Sequence, residues 1–193
     1  MNKMPVGILL AAGKSQRFGS NKLLHPINNI PMLFLSAQKL ASVLPGSLVV
    51  INPQLKNITA QLEQLGLQVV INEKAEQGMG SSIACGVSAR PDAAGWLITL
   101  ADMPYVKTGT LSLLANKLME GVDIIAPVCK EQRGHPVGFN HRYKNELMQL
   151  KQDVGARDII KKHQQQLELL ETNDKGVIQD IDCPDDIEIL GRV

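Results

Sequence analysis

Short apolar runs recur along the chain and are separated by longer amphipathic stretches. The runs cover residues 6–11, 47–52, 67–71, 96–100 and 123–128, and Val, Ile and Leu dominate them. Apolar runs of this length without strict alternation are typical of strands in a parallel sheet that is covered on both faces. We therefore expect a buried strand at each run.

The stretches between these runs carry the spacing of amphipathic helices. Pro31 suits the first turn of a helix, whereas Gly66 and Gly121 suit helix ends. Helices are predicted over Pro31–Val43, Leu55–Leu65, Ser81–Ala89 and Thr110–Met119. This alternation predicts a three-layer α/β fold with a mostly parallel, Rossmann-like sheet and right-handed crossovers.

The rhythm of the pattern changes after about residue 130. The predicted elements there are a loop and short strand over Gly134–Phe139, helices over Tyr143–Leu150, Ala156–His163 and Pro184–Leu190, and strands over Leu167–Leu170 and Val177–Ile181. No repeat, low-complexity tract or linker divides the chain. We therefore expect a single domain over residues 1–193, whose later part extends the same sheet and shapes a second substrate pocket.

Composition and charge narrow the possible classes of protein. The chain has 20 Lys and Arg against 19 Asp and Glu, a net charge of +1, so no basic surface for nucleic acid is expected. Its 3 cysteines lack zinc-ligand or disulfide-framework spacing, which favours a reducing, cytoplasmic location. The apolar run Met4–Ala12 leads straight into a glycine loop, so a core strand explains it better than a signal peptide. No stretch approaches the ~20 apolar residues of a membrane helix.

The first predicted strand runs directly into a loop of small residues, LAAGKSQRFGSNK over residues 10–22. Backbone N–H groups in such a loop can approach phosphate oxygens closely, and Arg17 and Lys22 add positive charge. The glycine spacing is not that of a Walker A loop, and Ser15 replaces the second glycine of GxGxxG. A solvated loop is the alternative, but the position directly after the first strand favours phosphate binding.

Candidate metal ligands follow the apolar runs. Asp102 stands just past the run at 96–100, where open α/β sheets place ligand-binding residues. Mg²⁺ prefers such hard oxygen ligands, although a cap ahead of Pro104 is the alternative role. Asp180 and Asp182 close the last predicted strand on one face, so periodicity does not choose between them as the partner of Asp102.

Five segments together resemble the nucleotidyltransferases of molybdenum cofactor biosynthesis, and in particular their cytidylyltransferase branch. They are LAAGxSxRxGxxK at 10–22, GMGSS at 78–82, LADMP at 100–104, RGHP at 133–136 and DIDCPDD at 180–186. These segments span essentially the entire chain in order. At residues 10–13, where this chain has LAAG, the guanylyltransferase branch more usually has LAGG. Cys183 stands where the family's Asp-Thr-Pro pattern has threonine.

The resemblance implies a fold of the nucleotide-diphospho-sugar-transferase type. The nucleotide-binding part would span about residues 1–130 and the acceptor part about 131–193. The residues implied to bind the nucleotide are Leu10, Ala11, Ala12, Gly13, Arg17, Lys22, Gly78, Ser81 and Ser82. For the two serines, an N-cap of the following helix is the alternative role.

The resemblance also implies catalytic and metal-binding roles. Arg17, Lys22 and Asp102 would be catalytic, and Asp102 would hold Mg²⁺ together with Asp182. The position beside the proline favours Asp182 over Asp180 in this comparison.

The acceptor site is implied in the same way, at His135 and Arg157. Arg157 equally suits a solvated helix arginine. The implied reaction transfers CMP from CTP to the phosphate of molybdenum-loaded molybdopterin, with a molybdenum hydroxylase or its chaperone as recipient of the product. Alternatives are a guanylyltransferase on the same acceptor and a non-catalytic nucleotide-binding chaperone for the cofactor. Sugar-phosphate nucleotidyltransferases share the opening loop, but RGHP argues against them.

Overall fold

The computed structural model describes residues 4–13, 21–152, 155–183 and 185–187. The strands are β1 Val6–Ala11, β2 Pro26–Ile27, β3 Ile30–Pro31, β4 Leu48–Ile51, β5 Gln68–Ile71, β6 Gly95–Leu100, β7 Ile124–Cys129, β8 Gln132–Arg133, β9 Val137–Asn140 and β10 Leu167–Glu171. The α-helices are α1 Met32–Val43, α2 Thr59–Gln64, α3 Met79–Ala89, α4 Thr108–Met119, α5 Lys144–Met148 and α6 Arg157–Lys162.

One mainly parallel sheet organises the described residues. Its strand order is β10-β7-β9-β6-β1-β4-β5, with β8 paired to β7, while β2 and β3 form a separate hairpin. β1 pairs in parallel with β4 and β6, and β4 with β5. β9 is antiparallel to both of its neighbours, β6 and β7. The later strands thus extend the same sheet.

Helices cover both faces of the sheet because successive side chains of a buried strand point in opposite directions. In β1, Leu9 and Ala11 join the core cluster that contains α1 and α4 residues. Ile8 and Leu10 join the opposite cluster, which contains α3, α5 and α6 residues. The predicted three-layer α/β fold with a mostly parallel sheet is confirmed.

Two predicted elements are wrong in detail. Val177–Ile181 is not a strand: a 3₁₀ helix spans Lys175–Ile178, and the chain runs on without regular structure. It turns there because Asp174 Oδ1 accepts the N–H of Gly176 at 3.1 Å. The predicted helix Leu55–Leu65 is split into a 3₁₀ helix, Pro53–Ile58, and α2.

The predicted closing helix lies largely outside the described residues, of which 185–187 are helical. Among the described helices, none combines the length and apolar character needed to cross a membrane.

Candidate active site

The carboxyl ends of the parallel strands form the candidate site. From β1 the chain passes to β4 and β5 on one side, and later returns to β6 on the other side of β1. Successive strands are thus added on opposite sides of β1, and such a reversal of strand order opens a ligand-binding crevice at the carboxyl ends of the strands. The N–H of Ala101 donates to the carbonyl of Leu10 at 3.1 Å, which holds the two strand ends together.

Lys22 lies between two carboxylates at this edge. Its Nζ is 2.9 Å from Asp102 Oδ2, 3.0 Å from Asp182 Oδ1 and 3.0 Å from the carbonyl oxygen of Ile181. Burial disfavours the charge on Lys22, but the two carboxylates outweigh that cost and raise its pKa above the usual value. Asp102 and Asp182, far apart in sequence, thus converge on one cation.

Backbone hydrogen bonds bring Asp182 to this position. The N–H of Ile181 donates to the carbonyl of Asp102 at 2.9 Å. Asp186 Oδ2 accepts the N–H groups of Asp182 and Cys183, each at 2.8 Å. These bonds, that of Cys183 foremost, lower the pKa of Asp186. The side chain of Asp186 therefore orders the segment that carries Asp182.

Two polar side chains of α1 support the loop that carries Asp102. Ser36 Oγ donates to the carbonyl of Ala101 at 3.0 Å. Lys39, one helical turn later, donates to the carbonyls of Pro104 and Val106. Burial lowers the pKa of Lys39 from its usual value. Sequence reasoning missed both residues, although two polar positions three apart on an apolar helix face are a usable signal.

A first pocket of about 430 Å³ opens beside Lys22 and Asp102. It extends from the end of β1 to the loop before α3. Gly78 in that loop has φ of 99°, a conformation that favours glycine. The pocket lining includes Leu10, Ala12, Gly13, Lys22, Gly78, Ser82 and Asp102.

Asn72, directly after β5, organises the far side of the first pocket. Its Nδ2 donates to Ser81 Oγ at 2.9 Å and to Ser82 Oγ at 3.0 Å, and its Oδ1 accepts the N–H of Lys74 at 3.0 Å. Neither serine is the N-cap of α3, because that position belongs to Gly78. Asn72 was not predicted as a site residue, although a polar residue closing an apolar strand is the same signal that identified Asp102.

A second pocket of about 280 Å³ adjoins the first, and the two share Met79 and Leu100 in their linings. The second pocket contains His135 and Arg157, as well as Arg133, which sequence reasoning did not single out. Burial lowers the pKa of His135, Asp102 partly opposes the shift and Arg133 adds to it. The ring is therefore neutral near pH 7. Its Nδ1 is buried without a hydrogen-bond partner among the described residues.

Backbone contacts fix the position of His135. The His135–Pro136 peptide bond is cis, and the N–H of His135 donates to the carbonyl of Val177 at 2.8 Å. A Cβ atom at Gly134 would lie 2.0 Å from that same carbonyl oxygen, so only glycine fits there. The segment around Val177 therefore sets the depth of His135 in the second pocket.

The structure brings most, but not all, of the predicted residues together. Ala11 lies in the core beneath α1 rather than in the lining of the first pocket. The Ser81 hydroxyl contacts Asn72 and the carbonyls of Lys74 and Gly78. Arg17 lies outside the described residues. The roles of all these residues stay predictions.

The donor set around Lys22 fits a divalent cation. Two carboxylate oxygens and a backbone carbonyl surround one positive charge, and these are the hard ligands that Mg²⁺ and Mn²⁺ prefer. No group of three or more His, Cys, Asp or Glu side chains suited to a metal occurs in the described part of the chain. Two carboxylates suffice for Mg²⁺ when substrate phosphates complete its ligands.

Comparisons with known proteins agree with this geometry. Residues 7–167 match the family model described as MobA-like NTP transferase domain. The purine catabolism protein PucB of Bacillus subtilis (strain 168) is 31% identical, over 97% of this chain and 96% of its own. A probable molybdenum cofactor guanylyltransferase of Geobacillus sp. (strain WCH70) is 30% identical, over 74% of this chain and 72% of its own.

Solved structures share the fold. Rv0371c from Mycobacterium tuberculosis H37Rv superposes with a TM-score of 0.86 at 24% identity, over 98% of this chain and 99% of that one. The same protein in complex with manganese superposes with a TM-score of 0.82 at 23% identity. The predicted nucleotide-diphospho-sugar-transferase type of fold is confirmed.

Proposed function

Because the chain belongs to the family of MobA-like NTP transferase domains, we propose that it transfers CMP from CTP to the phosphate of molybdenum-loaded molybdopterin. The products would be the cytosine dinucleotide cofactor and pyrophosphate, with a molybdenum hydroxylase or its chaperone as the recipient of the cofactor. The observation that carries this proposal is the meeting of two pockets beside the paired carboxylates Asp102 and Asp182.

The first pocket is the proposed nucleotide site. It combines Gly13, just after β1, with Lys22, a cation suited to phosphate oxygens. A triphosphate offers Lys22 an alternative anionic partner, so we expect its ammonium group to turn from the carboxylates toward the phosphates. Arg17 is proposed to add a second cation to the triphosphate site.

The second pocket is the proposed acceptor site, contributed mainly by the part after about residue 130. Arg133 and Arg157 supply positive charge for a phosphate group. His135 lies in the same lining, where its side chain can contact a bound acceptor. The lining therefore suits an anionic acceptor next to the nucleotide.

The proposed reaction is an in-line displacement. An oxygen of the acceptor phosphate attacks the α-phosphorus, a new P–O bond forms, and the bond to the bridging oxygen of the leaving pyrophosphate breaks. The attacking phosphate is already ionised near pH 7, so no general base is needed, and positioning and charge compensation supply the catalysis. Asp102 and Asp182 would hold Mg²⁺, which when bound neutralises charge on the phosphates.

Ala12 is the residue that favours cytosine over guanine as the base. Ala12 belongs to the lining of the first pocket, at a position where the guanylyltransferase branch more usually has glycine. The additional methyl group of alanine narrows the space for the base of the nucleotide and so favours a pyrimidine over a purine. GTP is the second candidate, because several relatives bear the name probable molybdenum cofactor guanylyltransferase.

We expect kcat/KM for CTP to exceed that for GTP by about 10–200-fold, the range that a methylene-sized fit supplies. The measurement compares both nucleotides with the same molybdenum-loaded molybdopterin. Ala12→Gly is the matched variant, and it should narrow the ratio while the KM for the acceptor changes little. A kcat/KM for GTP equal to or above that for CTP would contradict the choice of base.

A further inference from the structure

Asn72 holds an amide whose orientation is fixed by its neighbours. It is 5% exposed, and its Oδ1 accepts the N–H of Lys74 at 3.0 Å. The reversed amide would set its NH₂ group against that N–H, so the network leaves one orientation. Nδ2 therefore points toward Ser81 and Ser82, at 2.9 and 3.0 Å from their hydroxyl oxygens.

The Ser81 and Ser82 hydroxyl groups, which accept these bonds, differ in whether their own protons have an acceptor. Ser81 Oγ lies 2.8 Å from the carbonyl of Gly78 and 3.0 Å from that of Lys74, so its proton has a backbone acceptor. Ser82 Oγ donates to no other residue in the part of the chain that the structure describes. Ser82 is 4% exposed and belongs to the lining of the first pocket, whereas Ser81 does not.

An amide NH₂ donates and cannot accept, so the Ser82 oxygen is committed as acceptor toward Asn72. The hydroxyl proton must then point elsewhere, and a buried donor without a partner is costly. A ligand in the first pocket is the partner that the geometry offers.

We propose that Asn72 is a positioning residue that orients the Ser82 hydroxyl as a hydrogen-bond donor to an acceptor atom of the bound nucleotide. This rests on the proposed function only in taking the ligand of the first pocket to be a nucleotide. It places Asn72 in the binding machinery through Ser82, without contact between Asn72 and the ligand.

The test measures dissociation constants for CTP, and for GTP in parallel, by calorimetry in the presence of Mg²⁺. Ser82→Ala should weaken binding by about two- to tenfold, the value of one neutral hydrogen bond. Ser42→Ala is the control: it removes an exposed hydroxyl near the end of α1 that donates to the carbonyl of Lys39 and lies outside the lining of the first pocket, so affinity should stay at the wild-type value.

Asn72→Asp replaces the NH₂ donor that faces the two serines with an acceptor oxygen, while the shape of the side chain stays nearly the same. The introduced carboxylate can only accept, so it draws the Ser82 proton away from the pocket and weakens nucleotide binding. The negative charge of the introduced carboxylate also repels the triphosphate, but this repulsion is equally present in the Ser82→Ala background, which lacks the hydroxyl. We therefore expect Asn72→Asp to weaken binding at least about threefold more in the wild-type background than in the Ser82→Ala background.

Equal effects in the two backgrounds would show that Asn72 acts only on structure or charge, and would overturn the proposal. Unchanged affinity in Ser82→Ala would overturn it even if Asn72→Asp fails to fold. Both results leave the proposed reaction intact. A wild-type protein that binds neither CTP nor GTP would contradict the proposed function as well.

Discussion

At the scale of single residues, Lys22 and the two aspartates form one electrostatic unit. An ammonium group has three hydrogens, and the three oxygen atoms around Lys22 at 2.9–3.0 Å accept all of them. The partly buried carboxylate of Asp102 and the exposed carboxylate of Asp182 are therefore compensated by a cation of the chain itself. When a triphosphate binds, its oxygens can take over Lys22 as their partner. A divalent cation can then take the place of Lys22 beside Asp102 and Asp182, so the two ligands can replace this arrangement together.

Asp102→Asn should lower kcat at least about 100-fold while the protein stays folded. The amide keeps the shape of the side chain, and Lys22 retains Asp182 and the Ile181 carbonyl as partners. The measurement is steady-state kinetics at saturating Mg²⁺, with Mn²⁺ binding as a second readout that should weaken in parallel. The control is Asp92→Asn, an exposed carboxylate in the turn before β6. Near-normal kcat in Asp102→Asn would remove it from the proposed metal site.

At the scale of elements, the second pocket depends on the close approach of two segments. Gly134 and His135 pass against the 3₁₀ helix Lys175–Ile178, and the carbonyl of Val177 accepts the N–H of His135. The same helix is anchored by Asp174, whose Oδ2 accepts the N–H of Lys107 at 2.8 Å and the hydroxyl of Thr110 at 2.6 Å. Hydrogen bonds thus connect the start of α4, through Asp174 and Val177, to His135 in the second pocket.

Gly134→Ala should lower the free energy of unfolding by about 2–3 kcal/mol, because the added methyl overlaps a backbone carbonyl that has little room to move. Any folded fraction should also show a raised KM for the acceptor, since His135 would shift. Urea unfolding is the measurement. Gly109→Ala, in the first turn of α4 with no atom within 4 Å of the new Cβ, should change stability by less than about 1 kcal/mol. Similar stabilities for the two variants would refute this role of Gly134.

The elements also show where sequence reasoning holds and where it stops. β1, β4, β6 and β7 were predictable because each is a run of mainly apolar residues that is almost fully buried. β5 was predictable from its apolar residues although it lies at the sheet edge, with Gln68 exposed and the following residues partly buried. Val177 and Ile181 are equally buried, but neither lies in a sheet: Val177 belongs to the turn that the Asp174 side chain caps, and the N–H of Ile181 donates to the carbonyl of Asp102. Apolar spacing does not distinguish these two cases.

In the candidate site, too, some residues can be recognised from the sequence whereas others depend on contacts that only the fold creates. Lys22 and Asp102 were predictable from their positions after apolar strands. The supporting contact from Ser36 to the carbonyl of Ala101 joins residues 65 apart in sequence. Such a contact forms only when the fold has placed α1 beside that loop, so the polar spacing on α1 can indicate Ser36 but not its partner.

At the scale of the whole molecule, one sheet carries both pockets. The first pocket is lined by the ends of β1 and β6, the segments that follow them and the start of α3. The second is lined by β9, the segment before it and α6, together with residues of β6 and α3. The pockets meet at Met79 and Leu100, next to Asp102. Transfer between two bound ligands is what such an arrangement allows, whereas a cofactor-delivering chaperone would need no paired carboxylates at the boundary.

The most direct test supplies the wild-type protein with CTP, Mg²⁺ and molybdenum-loaded molybdopterin, and measures pyrophosphate and dinucleotide product together. We predict that the two products appear in equal amounts, and only when CTP and the acceptor are both present. Nucleotide binding without pyrophosphate release in the presence of the acceptor would contradict nucleotidyl transfer and favour the chaperone. Release at the same rate without the acceptor would contradict the two-pocket account.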